Sequence, residues 1–409
     1  MKSATPSLLA LLLVLSLPAT ALVAADVGVE NDAIPSIQDG STSQDTPVHA
    51  ENTTNRLPLS GEPGSEYSEY GPDLGITLAS VDDELRVDHD QYVLVDSEFE
   101  RASDDEREAM LETAHEHLIE AIDDLRERER TAVREHATGV RSDTELTQTL
   151  LRNYHEATAL LDVMSGLEER ADEVPGYSLG RDQVRENKRA LEIHRSPLQS
   201  QLAATSQRFE TPDSFEFLIQ TSEESYRLSA IDGSTYLSET TRFDNRDPDA
   251  PDQFDGSVGQ TANDYASELY PWGAEEGSTD FRAAGKIYDV GFTGDHFELR
   301  LYFDGGSGEV YRELQELSID TLPIQDRHQM IADGLVLETS TTPVNGPVEL
   351  NVTDAETDDP VEATIIVDGS ERGVTDEDGT LWIVPPSDEF ELTVETDTGS
   401  INTTVTAGS

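Results

Sequence analysis

Nine histidines and 85 carboxylates are the groups in this 409-residue chain that could carry chemistry, and there is no cysteine. The lack of thiols excludes disulfides, a thiolate nucleophile, a Cys-ligated zinc site and a lipid-bearing cysteine. Glu112-x-x-His115 is half of a di-iron helix motif, which requires a second copy on a facing helix, and the sequence has none. His115 and His117, two apart on a helix, diverge. Ile119 stands where a His-Glu-x-x-His zinc motif needs its second histidine. Asp376-Glu377-Asp378-Gly379 resembles a calcium loop, but Val374 and Pro385 occupy the places of its first Asp and last Glu, so a turn is expected. The acidic loop from Asp244 to Asp252 offers loose cation ligands. Nucleophile patterns of the Gly-x-Ser-x-Gly and Ser-x-x-Lys kinds are missing. Gly305, Gly306 and Gly308 lead from one strand into another, which makes a hairpin; a phosphate cradle needs a helix N-terminus. With 85 acids some pair lies at any separation, so a glycosidase-like pair of carboxylates has no specific support. The sequence thus assigns no catalytic, cofactor or metal residue. Asn52, Asn351 and Asn402 each open an Asn-x-Thr sequon and are candidate glycosylation sites.

Acids outnumber Lys plus Arg 85 to 27, for a net charge of −58. Only Lys2, Lys188 and Lys286 are lysines. A charge of this size works against a compact state by self-repulsion. In molar salt the Debye length falls to about 3 Å and the repulsion is screened, so the composition points to a halophile. A nucleic-acid partner is excluded for want of a basic footprint, and an anionic membrane surface would repel the chain.

The elements that must position any site follow from the chain in order. Residues 1–25, with Lys2, an apolar run from Leu8 to Leu17 and Val23-Ala24-Ala25, read as a secretory signal peptide. Its apolar core is too short for a span. Residues 26–57 read as a disordered acidic linker. From 58 to 178 the pattern is helical. Pro72 is placed at the first helical position, and Leu74, Leu78, Val81, Leu85, Tyr92, Val95 and Phe99 form a 4-3 stripe. Ser103 with Glu106, and Ser142 with Glu145, make capping boxes for two further helices. Leu111, Ala114, Leu118, Ala121 and Leu125 stripe one of them, and Leu146, Leu150, Tyr154, Ala157, Leu161 and Met164 the other. Such stripes predict an antiparallel bundle or hairpin whose outer face includes the Asp123–Arg130 charge ladder.

Between 179 and 326 the sequence repeats itself. Phe217–Phe243 and Tyr288–Leu314 each read as three short strands with an aromatic-x-Leu core, Tyr226/Leu228 and Phe297/Leu299, and an Asp-Gly turn, Asp232-Gly233 and Asp304-Gly305. Each copy follows a helix, the second followed by Tyr270 and Trp272, expected to pack on the sheet. The expectation is a tandem helix-plus-three-strand module with one sheet face open. Asp304-Gly305-Gly306-Ser307-Gly308-Glu309-Val310 resembles the hairpin of PepSY units, and the resemblance extends over about 179–316; the first copy lacks the Gly-Glu-Val. PepSY resemblance implies protease inhibition, propeptide function or envelope regulation. From 327 to 409, alternating runs at Val348–Val352, Ala363–Val367, Thr380–Val384 and Phe390–Val394 predict a small β-sandwich. The segment at about 345–397, with its Asp-Gly and Thr-Asp-x-Asp-Gly turns, resembles carboxypeptidase-regulatory-like and transthyretin-like modules, which implies an accessory or stalk domain. The chain as a whole resembles exported haloarchaeal proteins built from domains of unknown function.

The expected fold is therefore multidomain α+β: an N-terminal antiparallel helical bundle, the tandem module and a C-terminal all-β sandwich. The expected function is non-enzymatic binding or cell-envelope interaction by a secreted or cell-surface protein with a protein or envelope partner. An inhibitor or chaperone of an exported protease is the first alternative. A carboxylate- or cation-dependent hydrolase is the second, and it predicts an acidic pocket between helices and sheet.

Overall fold

The computed structural model describes residues 46–210, 213–254 and 261–408. The expected signal peptide and residues 26–45 of the expected linker lie outside the described residues. The first described strand, β1 (Gly64–Tyr70), precedes five helices: α1 (Leu74–Gln91), α2 (Asp104–Ala137), α3 (Asp143–Asp172), α4 (Arg181–Glu192) and α5 (Pro197–Ser206). Both capping boxes are formed; the Ser103 and Ser142 backbone N–H groups donate to Glu106 and Glu145 at 2.8 and 2.9 Å. Asp73, not Pro72, governs the start of α1: its carboxylate accepts from Gly75 N at 2.8 Å and Ile76 N at 3.1 Å. The α2 and α3 stripes are buried against each other as expected.

α1 is turned the other way. Leu74, Leu78, Val81 and Leu85 face solvent at 48–62% exposure, and Ile76, Ser80, Asp83 and Val87 face α3. The inward line has the same 4-3-4 spacing shifted by two residues. Arg152 grips the buried Asp83 carboxylate with Nε and Nη2 at 2.9 and 2.8 Å, which makes a charged residue compatible with the buried face.

Two short helices, α6 (Ala262–Leu269) and α7 (Pro271–Glu276), interrupt the strands of the central sheet. These strands are β2 (Phe215–Thr221), β3 (Ser225–Asp232), β4 (Thr235–Arg242), β5 (Ser278–Ala284), β6 (Ile287–Thr293), β7 (Phe297–Asp304) and β8 (Val310–Ser318). Together with β1 they form one antiparallel sheet in the order β1-β2-β3-β4-β8-β7-β6-β5. The repeated units meet at β4 and β8, and each gains an outer strand, β1 or β5, that the repeat did not announce. Their aromatic-x-Leu pairs point to opposite faces. Tyr226 and Leu228 pack with α2, α3 and α5, whereas Phe297 and Leu299 pack with α6 and α7. The expectation of one open face is therefore corrected: the helices α1–α5 cover one face, and α6, α7 and Leu57 cover much of the other. Trp272 packs on Phe297, ring centroids 4.6 Å apart.

Residues 46–57 are also not the disordered linker expected. Leu57 is fully buried and its N–H donates to Glu313 Oε2 at 2.8 Å, while Arg56 Nη1 donates to Val344 O and Asn345 O at 2.8 and 3.0 Å. Burial of one leucine and a charge-assisted tie to a distant loop hold this polar stretch in place.

The C-terminal region is a sandwich of two antiparallel four-stranded sheets. Its strands are β9 (Asp326–Ala332), β10 (Leu335–Thr341), β11 (Val348–Asp354), β12 (Thr364–Val367), β13 (Ser370–Val374), β14 (Thr380–Ile383), β15 (Glu389–Glu395) and β16 (Ser400–Thr406). The orders are β14-β11-β10-β9 and β13-β12-β15-β16. Alternate residues such as Leu337, Leu350, Ile365 and Val394 fill the space between them. Asp376 accepts from Asp378 N and Thr380 N at 3.0 and 2.9 Å, which is the turn expected there. Among the described residues no helix is long and apolar enough to cross a membrane.

Candidate functional site

A cavity of about 250 Å³ lies between α2, the end of α4 and the helix-side face of β4 and β8. Arg126, Arg130, Arg242, Arg246 and Arg312 all line it, with Tyr311 and His194. Five arginines around one space is a local concentration of positive charge in a chain of net charge −58, and each of them has a carboxylate within 4 Å. The hydrolase alternative called for an acidic pocket between helices and sheet; this one is lined by five arginines together with Asp123, Glu127 and Glu129.

A β-bulge brings two of the groups together. Tyr302 pairs with Arg312 and Phe303 with Val310, so Tyr311 is an extra residue on β8. Neighbouring side chains on a strand normally face opposite ways. The inserted residue lets both Tyr311 and Arg312 face the helices. Arg312 is 1% exposed; its Nη1 lies 3.5 Å from Glu129 Oε1. Among the described residues its Nε and Nη2 have no hydrogen-bond partner, and neither do the Tyr311 hydroxyl and Arg246 Nε. Arg246 Nε lies 3.6 Å from Asp304 Oδ1, outside hydrogen-bond range, and its guanidinium sits over the Tyr311 ring at 5.1 Å.

The other arginines are occupied. Arg242 takes Asp244 with Nε and Nη2 at 2.8 and 2.7 Å, Arg130 takes Glu224 at 2.7 Å, and Arg126 takes Asp123 at 2.9 Å. Burial, then the neighbouring Arg246 charge, lowers the Arg126 pKa. Burial raises the Tyr311 pKa against the opposing charges of Arg246, Arg126 and Arg312, so its oxygen stays protonated and is a donor. Those three positive charges thus act on one hydroxyl.

Glu129 on α2 supports this arrangement from behind. Its carboxylate accepts from the Tyr226 hydroxyl and lies 3.0 Å from His194 Nδ1. Burial by itself would raise its pKa; the charge and hydrogen bond of His194, the Arg312 charge and the Tyr226 hydroxyl outweigh that and hold it at about 2. Glu129 is part of the cavity lining, but its side chain is 4% exposed and its oxygens are engaged by Tyr226, His194 and Arg312, so it serves as an anchor for Arg312. Glu239, also buried, accepts from Ser196 Oγ at 2.6 Å and Leu198 N at 2.7 Å and so holds the start of α5. Chemically the arrangement is a set of fixed N–H and O–H donors suited to an oxyanion.

The residues singled out from sequence lie elsewhere. His115 is buried with its Nε2 3.0 Å from Asn187 Nδ2, while Glu112 and His117 face solvent. Among the described residues no group of three metal-ligating side chains is placed to hold an ion. The Asp244–Asp252 loop is tied down by the protein itself: Lys286 Nζ donates to Pro248 O and Ala250 O at 2.7 and 2.8 Å, and Tyr288 to Asp252 at 2.7 Å. Asn52 and Asn402 are exposed; Asn351 is half-buried, its amide donating to Thr380 Oγ1 at 3.1 Å. The cavity itself was missed. Arg126 and Arg130 belong to the Asp123–Arg130 ladder expected to be solvated surface, and only the i,i+4 recurrence of arginine through Arg134 set them apart.

Fold and site together define a multidomain α+β protein with a helical N-terminal region, a sheet-rich middle and a C-terminal sandwich-like part. Residues 1–210 match the profile described as a domain of unknown function, DUF7096, and residues 217–323 match a family of unknown function, DUF7094. Residues 326–403 match the archaeal fibronectin-III type-like domain. The first match spans 210 of 409 residues, and the chain belongs to the DUF7096 family. The expectation of archaeal domains of unknown function is met. Comparison with curated proteins and with solved structures gave no match.

Proposed function

We propose that this is a non-enzymatic binding protein, exported by a halophile to its surface or medium, and that its ligand sits in the arginine-lined cavity. The observation that carries the reading is the buried Arg312, whose Nε and Nη2 lack hydrogen-bond partners among the described residues. A buried donor left unfilled costs about 1–3 kcal/mol, a cost that a ligand accepting those bonds offsets. The rim acids are engaged by neighbours on α2: Asp123 is bound to Arg126, and Glu127 accepts from Thr131 Oγ1 at 3.2 Å. A photo-crosslinking residue at Glu127, exposed on the cavity rim, tests this in the mature chain, expressed in a halophilic host and recovered at molar salt. The expected result is one adduct that a crosslinker at Val140, 74% exposed on the α2–α3 loop, does not form. Identical adducts from both positions overturn the reading, as does turnover of a polymer by the purified chain; absent adducts exclude a macromolecular ligand.

A second reading, inhibition or chaperoning of an exported protease, is favoured by β5. This strand ends the central sheet, pairs among the described residues with β6 alone, and has six of seven residues exposed. An open edge receives an extended peptide by strand addition, and the PepSY-like hairpin Asp304–Val310 belongs to the same sheet. A crosslinker at Phe281 on β5 that captures a single protease in equal amount supports this reading, and its failure to capture one removes it.

A further inference from the structure

We propose that the cavity takes a tetrahedral oxyanion, phosphate or sulfate, either free or ending a larger molecule. The inference rests on the binding reading above and adds the chemistry of the ligand. Nε and Nη2 of Arg312 share one edge of the guanidinium plane, and that edge receives two oxygens of a single anion side by side. A chloride ion, the abundant anion in molar salt, meets that edge as a single acceptor and has no further oxygens for the other donors. A carboxylate fills the edge but keeps its oxygens in one plane. The remaining unfilled donors, the Tyr311 hydroxyl and Arg246 Nε, come from other residues, with the Arg246 guanidinium lying over the Tyr311 ring. Donors on three side chains, beyond a single guanidinium edge, favour a group with oxygens outside the plane of that edge. The side chains that present them are held in place: Arg312 by Glu129, Arg246 by the Tyr311 ring, and Tyr311 by the bulge in β8. A donor set fixed before the ligand arrives binds without the cost of ordering it.

The test is titration calorimetry on the mature chain in molar chloride, with sulfate, phosphate and acetate as probes. Sulfate and phosphate are expected to bind at least roughly tenfold more tightly than acetate. Tyr311→Phe keeps the ring under Arg246 and removes only the hydroxyl; it is expected to weaken tetrahedral anions about tenfold. Without anion the same variant is expected to melt no lower than the parent, because it deletes an unfilled buried hydroxyl. A merely structural Tyr311 gives the reverse pattern, lower melting with unchanged affinity, and overturns the proposal. Arg312→Lys keeps the charge and loses the side-by-side donors, and is expected to lose affinity by roughly tenfold or more. If that variant fails to fold, Tyr311→Phe carries the test. Glucose 6-phosphate and glucose 6-sulfate distinguish the sources: tighter binding than the free anions identifies a group on a larger molecule, weaker binding a free anion. Acetate binding as tightly as sulfate, or no tetrahedral anion binding, overturns the inference. A specific adduct at Glu127 in that case still upholds the binding reading with a different ligand.

Discussion

Glu129 Oε1 and Arg312 Nη1 meet at 3.5 Å with both side chains sealed from water, where α2 crosses β8. Neither is tolerable without the other. Removing one partner of a buried pair leaves an uncompensated charge, which costs about 3–5 kcal/mol. Glu129→Ala is therefore expected to lower unfolding free energy by roughly that amount in denaturant titrations at molar salt. A loss below about 1 kcal/mol, the size of an exposed pair, contradicts the role given to Glu129.

The same carboxylate predicts an acid dependence. The Glu129 pKa is about 2 in the folded chain against an ordinary 4.5. A depressed folded-state value means the unfolded chain binds the proton first, so the stabilisation is complete above about 4.5 and is lost as pH falls toward 2. Stability of the parent is expected to fall across that window by an extra amount on the order of 3 kcal/mol relative to Glu129→Gln. Parallel pH profiles for the two proteins refute the assignment.

The two candidate faces of α1 give a direct comparison. Ile76 is 3% exposed and Leu78 is 61% exposed. Ile76→Ala is expected to cost about 2–5 kcal/mol, and Leu78→Ala to stay within about 0.5 kcal/mol. Equal losses in thermal and denaturant unfolding indicate that α1 is rotated from the orientation described.

Much of the fold was legible because local chemistry and tertiary packing agree there. Ser103/Glu106 and Ser142/Glu145 mark helix starts by bonds made within four residues, and the stripes of α2 and α3 bury the apolar side chains that periodicity selects. The alternation through Val348–Val352 and Phe390–Val394 gave the sandwich for the same reason. α1 was misread because two lines of equal spacing competed, and the polar one is buried through Arg152, 69 residues away from Asp83. β1 escaped notice because Gly-Ser-Glu-Tyr-Ser-Glu-Tyr has no apolar alternation and forms a strand by pairing with β2. The cavity is illegible for a similar reason. Arg126, Arg246 and Arg312 are scattered over nearly half the chain, and a bulge at Tyr311 is what aims the last of them.

Net charge predicts how stability responds to salt. At −58 the folded chain repels itself, and raising salt to molar levels shortens the Debye length to about 3 Å. Melting temperature is expected to climb steadily from low to molar potassium chloride in differential scanning calorimetry. A flat or falling profile is incompatible with adaptation to salt.

The segment ahead of β1 gives the last expectation. A disordered linker tolerates substitution, whereas Leu57 is fully buried beside Tyr236 and Leu218 in the core beneath α6 and α7. Leu57→Ala is expected to cost about 2–5 kcal/mol through lost burial and a residual cavity. Arg56 acts differently, since its guanidinium bonds Val344 O and Asn345 O in the sandwich and lies 5.3 Å from the Tyr236 ring centroid in the central sheet. Arg56→Ala removes that tie but not the packing of either region. Limited proteolysis is expected to cut the Arg56→Ala chain faster near Thr342–Gly346, with a smaller loss of unfolding free energy than Leu57→Ala. Unchanged cleavage in Arg56→Ala together with a negligible cost for Leu57→Ala restores the linker reading for residues 46–57.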